Sequence, residues 1–262
     1  MKAKIAHTEL EHTVAGKGPA VVLLHAFPLG LFMWDAQAAA LEATHTVVRF
    51  DDRGFGATPP GDGLLTMERI ADDAAALMDH LGISQAVVAG CSMGGYAALA
   101  FARRHPDRLK GLVLQDTKAS ADNDEARRNR ALLVDKVRKD GAAAAADAFL
   151  PKLLGKTTQS EQPALMDRIR EAILGTPPQG IIDALAGLAA RADSTPSLRE
   201  IRVPTLVLCG EEDEITPVAD SEVLHRGIAG SRIAVIPKAG HLSNLEKPAA
   251  YNEALAGFLG SL

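Results

Sequence analysis

The reading of the chain turns on one stretch, Ala86-Val87-Val88-Ala89-Gly90-Cys91-Ser92-Met93-Gly94-Gly95-Tyr96-Ala97-Ala98-Leu99-Ala100-Phe101-Ala102. Its first four residues are a continuous apolar run, the pattern of a strand buried on both faces. Its last seven read as a helix, and between them stands G-x-S-x-G in a strand–turn–helix context. The reason for the pattern is steric. Such a turn forces the serine into a strained backbone conformation, and side chains two residues to either side of it would clash. Gly90 and Gly94 remove those clashes, while Gly95, Ala97 and Ala98 let the helix pack closely on the sheet. The helix N-terminus behind Ser92 favours negative charge developing in front of it. The bland alternative is a glycine-rich turn with a spectator serine, and placement at the carboxyl end of a central strand argues against it.

Working outward, the same strand type recurs at Val21–Leu24, Thr46–Phe50, Gly111–Leu114, Thr205–Leu208 and Ile233–Ile236. Helices fall between. Thr66 caps one whose apolar face is Ile70, Ala74, Leu77, Met78 and Leu81, with Gly82 to end it. Pro248 opens a last one bearing Ala254, Leu255, Phe258 and Leu259. Alternating strand and helix predicts a mostly parallel sheet covered on both sides. The first twenty residues read as a small β-hairpin, with Gly16-Lys17-Gly18-Pro19 as a turn. From Lys118 to Arg199 the alternation stops and helical patterns follow one another, punctuated by Pro151, Pro163 and Pro177-Pro178. This stretch reads as a helical insertion packed over the sheet, close to electrically neutral.

The chain has 262 residues, 47% of them hydrophobic and 23% charged, with 28 basic against 33 acidic side chains and a net charge of −5. That balance is of a globular protein and excludes a disordered chain. The acidic balance argues against a nucleic-acid binder. The longest apolar run, Ala20–Trp34, contains His25, Pro28 and Gly30 and is shorter than the roughly 20 residues a membrane span needs. Cys91 and Cys209 form no CxxC pair, and Met1–Thr8 lacks a secretory pattern, so the expectation is a cytoplasmic protein.

A serine hydroxyl needs a base, and the base an acid to hold it. His241 stands in Ala239-Gly240-His241-Leu242, just after the strand ending at Ile236; Asp213 stands in Gly210–Pro217, just past the strand ending at Leu208. The order Ser92, Asp213, His241 is that of one particular fold. Asp116, at the end of another strand, is the weaker candidate for the acid. His25 ends a strand and reads as structural; His7, His12, His45, His80, His105 and His225 read as surface or turn residues. No histidine pair has zinc-ligand spacing, so neither metal nor cofactor is called for. Cys91 reads as a small buried thiol, not a second nucleophile.

Together these motifs resemble the α/β-hydrolases across nearly the whole chain. Leu23-Leu24-His25-Ala26-Phe27-Pro28 resembles the family's His-Gly-x-Pro oxyanion loop, with Ala26 where glycine is usual. Asp51-Asp52-Arg53-Gly54-Phe55-Gly56-Ala57-Thr58 resembles its D-x-R-G-x-G-x-S loop, with Thr58 for serine, and Gly210–Pro217 its acid-bearing G-x-x-D-x-x-x-P segment. The resemblance implies an α/β-hydrolase fold: a mostly parallel eight-stranded sheet with helices on both faces, a core of residues 1–117 and 200–262, and a helical cap of residues 118–199. It also implies an oxyanion hole from the backbone N–H groups of Phe27 and Met93. Arg53 and Asp51 read as braces of their loop. Apolar walls for a pocket are expected from Trp34, Leu132, Phe149, Leu153, Met166 and Ile173.

The expected activity is hydrolysis of small carboxylic esters or lactones through an acyl-enzyme. Enol-lactonase, carbon–carbon-bond hydrolase and cofactor-free perhydrolase chemistries remain open, whereas a serine nucleophile disfavours the aspartate-dependent dehalogenase and epoxide hydrolase branches. A non-enzymatic small-molecule receptor on the same fold is the rival from another class. Oligomeric state is not legible.

Overall fold

A computed structural model of the chain describes residues 1–5 and 8–262; His7, read as a surface or turn residue, lies outside them. The chain runs β1 (Lys2–Ile5), β2 (Thr8–Ala15), β3 (Ala20–Leu24), α1 (Asp35–Leu41), β4 (Thr46–Phe50), α2 (Met67–His80), β5 (Ala86–Cys91), α3 (Met93–Arg104) and β6 (Leu109–Gln115). Five helices follow without a strand: α4 (Asp124–Asp140), α5 (Ala142–Leu153), α6 (Lys156–Glu161), α7 (Pro163–Leu174) and α8 (Pro178–Ala190). The sheet then resumes with β7 (Thr205–Gly210), α9 (Val218–Gly227), β8 (Arg232–Ile236), α10 (Ser243–Glu246) and α11 (Pro248–Leu259).

The eight strands form one sheet in the order β1-β2-β4-β3-β5-β6-β7-β8, antiparallel at β1/β2 and β2/β4 and parallel from β4 to β8. All six strands expected from apolar runs are present, and β5 is buried along its whole length. Parallel pairing brings the carboxyl ends of β3, β5, β6, β7 and β8 to one edge. The strand order reverses about β3, which has β4 on one side and β5 on the other, and loops leaving such a switch point open a crevice for ligands.

The first twenty residues differ in one respect from the sequence reading. The hairpin is β1 against β2, with Ile5 opposite Thr8. The turn at residues 16–19 instead carries the chain from β2 past β4 to β3, because β2 and β3 both pair with β4. His12, expected at the surface, is buried on β2, its ring edge-on to His80.

Helix ends follow local chemistry. The Thr66 side chain accepts a hydrogen bond from the Arg69 N–H at the start of α2, and Pro163, Pro178 and Pro248 open α7, α8 and α11, where a missing N–H costs nothing. Pro151 does not break its helix but sits in the last turn of α5. No helix among the described residues is long and apolar enough to cross a membrane.

Candidate active site

Ser92 sits between β5 and α3 with φ 52° and ψ −110°, a left-handed conformation that a non-glycine residue adopts at a cost of about 1–3 kcal/mol. The glycines around it are dictated by contact. A Cβ at Gly90 would lie 2.0 Å from the Gly94 carbonyl oxygen, and one at Gly94 would lie 2.2 Å from the Leu24 carbonyl oxygen. Both obstacles are backbone and cannot rotate away. The turn is pinned from β6, where the Ser92 N–H donates to the Gln115 carbonyl and the Thr117 hydroxyl donates to the Ser92 carbonyl. Cys91 beside it is buried, and burial first, then the charge of Asp116, pushes its thiol well above the ordinary range; it stays protonated and is no rival nucleophile.

His241 follows β8 and brings Nε2 to 2.8 Å from Ser92 Oγ, while its Nδ1 lies 2.8 Å from Asp213 Oδ2. An ionised carboxylate only accepts, so Nδ1 carries the proton and Nε2 is free to accept from the serine. Asp213 also takes the N–H groups of Ile215 and Thr216 on Oδ1, at 2.8 and 3.0 Å, and the Thr216 hydroxyl on Oδ2 at 2.7 Å. Burial alone would raise this carboxyl. The facing His241 charge and hydrogen bond, with the Thr216 donors, outweigh it and hold Asp213 below the usual value. Burial likewise works against a charged His241, and the Asp213 charge and hydrogen bond overturn that, leaving the imidazole above its ordinary value.

Two further buried carboxylates support this arrangement. Asp116, at the end of β6, accepts from the Gly210 N–H, the Ser243 N–H and hydroxyl, and the Gln115 amide. None of its bonds reaches His241; the carboxylate bonded to His241 is that of Asp213. Burial, then the charge of Asp213, pushes Asp116 up to about 7. Glu246 was not foreseen. Its Oε1 accepts from the Gly240 and Leu242 N–H groups, one on either side of His241, and its Oε2 accepts from the Gly155 N–H between α5 and α6. One carboxylate thus ties the histidine loop to the helices above it.

The loop after β3 is braced by the loop after β4. His25 Nδ1 donates to the Ala26 carbonyl, and its Nε2 accepts from the Asp52 N–H. Asp51 accepts from the Leu31 and Ala57 N–H groups, and Arg53 makes two bonds to Asp73 at 2.6 and 2.7 Å. Burial pushes Asp52 up to about 7. These contacts hold Phe27 against the same cavity as Met93, Ser92 and His241. Neither the Phe27 nor the Met93 N–H has a protein acceptor among the described residues, so both are available to an oxygen bound near Ser92.

The cavity over Ser92 is small, about 40 Å³, and its walls include Phe149 and Leu153 from α5, Leu188 from α8 and Ile215. Arg130 and Phe149 also border a wider outer cavity of about 520 Å³, whose rim includes Leu132. Of the six expected pocket residues, Phe149 and Leu153 line the inner cavity. Leu132, 61% exposed, lines the outer cavity and not the inner one. Trp34 lies elsewhere, buried against Tyr251 with ring centroids 6.2 Å apart. Ile173 is buried and Met166 half-buried on α7, which packs against α5, and neither lines the inner cavity. Tyr96, Arg130, Leu188 and Ile215 line the inner cavity without having been foreseen. Among the described residues no group of three or more His, Cys, Asp or Glu side chains is placed to share a metal ion.

Comparison with known proteins agrees with this fold. A family model described as alpha/beta hydrolase fold matches residues 19–248. 3-Oxoadipate enol-lactonase 2 of Acinetobacter baylyi is 30% identical over 237 residues, 90% of this chain and 87% of that protein. Among solved structures, a thermophilic esterase from Thermogutta terrifontis in a malate-bound form superposes with a TM-score of 0.97 at 41% identity, covering 100% of this chain and 98% of that one. The enol-lactonase from Burkholderia xenovorans LB400 superposes with a TM-score of 0.93 at 33% identity, covering 99% of this chain and 100% of that one.

Proposed function

The chain belongs to the α/β hydrolase fold family, and from that premise we propose that it is a serine hydrolase that cleaves small carboxylic esters or lactones through an acyl-enzyme, with Ser92 as nucleophile, His241 as base and Asp213 as the acid that holds it. The observation that carries the proposal is the continuous chain Ser92–His241–Asp213, two contacts of 2.8 Å each, on a turn whose glycines have no packing alternative.

His241 Nε2 takes the Ser92 proton as Oγ attacks the carbonyl carbon. Asp213 holds Nδ1–H in place and stabilises the imidazolium that forms. The Phe27 and Met93 N–H groups bind the oxyanion, which draws further stabilisation from the N-terminus of α3. His241 then gives its proton to the leaving oxygen, which in a lactone stays tethered to the acyl chain. Water, deprotonated by the same nitrogen, attacks the acyl-enzyme and frees the acid. Residues 118–199 act as the cap: α5 and α8 supply apolar wall, and Glu246 couples the segment that follows α5 to the His241 loop. Relatives named as enol-lactonases and esterases support lactones and esters as the substrate range. Two buried free cysteines fit a cytoplasmic location.

Turnover of p-nitrophenyl acetate and butyrate tests this reading. Ser92→Ala and His241→Ala should each lose about 10³-fold or more in kcat. Full activity in Ser92→Ala would overturn the assignment.

A further inference from the structure

The cavity over Ser92 holds a cation that the reaction above does not use. Arg130, on α4, lines both the inner and outer cavities. Its Nε donates to Asp122 Oδ2 at 2.5 Å, and its two terminal nitrogens have no protein acceptor among the described residues. Asp122 is already matched from its other side, because Arg191 Nη1 lies 2.7 Å from Oδ1, both side chains being 3% exposed. Arg191 is held in turn by the Leu188 and Ser120 carbonyls and lies over the Tyr96 ring, 4.3 Å from its centroid.

One carboxylate between two guanidiniums leaves this cluster with a surplus positive charge at a small, largely apolar cavity. If Arg130 served only to neutralise Asp122, Arg191 would make it redundant. A second cation held beside apolar walls is costly unless an anion meets it. The free end of a guanidinium is a planar fork that matches a carboxylate with two parallel hydrogen bonds. The outer cavity has the same bias: Lys136 and Lys152 line it with Arg130, and its one acidic side chain, Glu214, is paired with Lys156 at 3.3 Å.

We propose that Arg130 is a carboxylate-binding subsite, and that the preferred substrates are esters or lactones carrying a free carboxylate. This rests on the hydrolase reading above and adds the substrate class. Asp122 and Arg191 are positioning residues: they fix the Arg130 guanidinium and touch no substrate. The small inner cavity puts the reacting carbonyl and the carboxylate in one short molecule, such as a half-ester of a small dicarboxylic acid.

The test compares kcat/KM for monoethyl glutarate with that for ethyl 5-methylhexanoate, its uncharged isostere, in wild type, Arg130→Gln, Arg130→Lys and Ser92→Ala. Wild type should favour the anionic ester by tenfold or more, the range of a charge-assisted hydrogen-bonded pair. Arg130→Gln should reduce that ratio at least tenfold, and Arg130→Lys, which keeps the charge without the fork, should fall between. A ratio of two rates on one protein is insensitive to a loss of folded material. No preference in wild type, an unchanged ratio in Arg130→Gln, or a Lys variant no better than the Gln variant would each overturn the subsite. Hydrolysis surviving in Ser92→Ala would instead overturn the reading it rests on.

Discussion

The loops at the carboxyl edge of the sheet and the helices that overlie them are held in place by different means. In the loops, four carboxylates are fixed by backbone. Asp51, Asp116, Asp213 and Glu246 each accept at least two main-chain N–H groups, and the turn at Ser92 leaves no room for a Cβ at Gly90 or Gly94. The overlying helices are held mainly by apolar stripes such as Leu133, Val137, Ile169, Ile173, Ile181 and Leu185, and they present to the cavity a cation with its fork free. Under the proposed function, chemistry falls to the edge of the sheet and substrate choice to the helices. Changes at the edge should abolish or retune the reaction for every ester, whereas changes above it should alter which ester is taken.

The largest contrast is expected at the His241–Asp213 pair. Asp213→Asn keeps the shape but offers one acceptor oxygen where Asp213 uses two, Oδ2 for His241 Nδ1–H and Oδ1 for the Ile215 and Thr216 N–H groups, and it removes the charge that lifts His241. About 10³–10⁴-fold should be lost in kcat, as for the corresponding change in the serine-protease template. The sign of the pH effect is fixed. His241 works as a base only when neutral, so wild-type kcat/KM should rise as pH increases through a midpoint above the ordinary histidine value of 6.5. In Asp213→Asn that midpoint should move down. A pH–rate profile in both proteins checks this, and a midpoint unmoved by the substitution would mean that Asp213 does not set the base.

Glu246→Gln probes the seam between the two regions. The amide cannot satisfy three N–H donors, and charge-assisted bonds are worth about 1.5–3 kcal/mol each where buried. A lower melting temperature and a loss of about tenfold in kcat are expected for all esters alike. A change in acyl preference without a change in kcat would place Glu246 with the helices, not with the edge. The smallest effect is expected at Phe149, whose ring meets that of Phe27 with centroids 5.2 Å apart. Phe149→Ala should widen the inner cavity, raising KM for p-nitrophenyl acetate several-fold and improving longer acyl chains relative to it.

What the sequence made legible divides along the same line. Ser92, Asp213 and His241 could be placed because the glycines around the turn and the strands before each residue constrain backbone over a few residues. Six of the eight strands followed from short apolar runs, and the first two were read only as a hairpin whose turn lay at the wrong place. Glu246 escaped because nothing local marks a carboxylate that reaches back five residues to flank a histidine. Tyr96 had a usable signal: it lies one helical turn beyond Ser92 and so on the same face of α3. Arg130 had none, standing among Arg127 and Arg128 on a helix that is charged over most of its surface. Trp34, Met166 and Ile173 were misplaced as pocket walls for a related reason. An apolar stripe announces burial, and burial against another helix looks the same in sequence as burial against a substrate.

The most direct test of the central proposal is intact-mass spectrometry after exposure to a fluorophosphonate, with peptide mapping, on wild type and Ser92→Ala. A single adduct mapped to Ser92 in wild type and no adduct in the variant is the predicted result. An adduct that persists in Ser92→Ala, or a wild type that takes none, would contradict the proposed nucleophile.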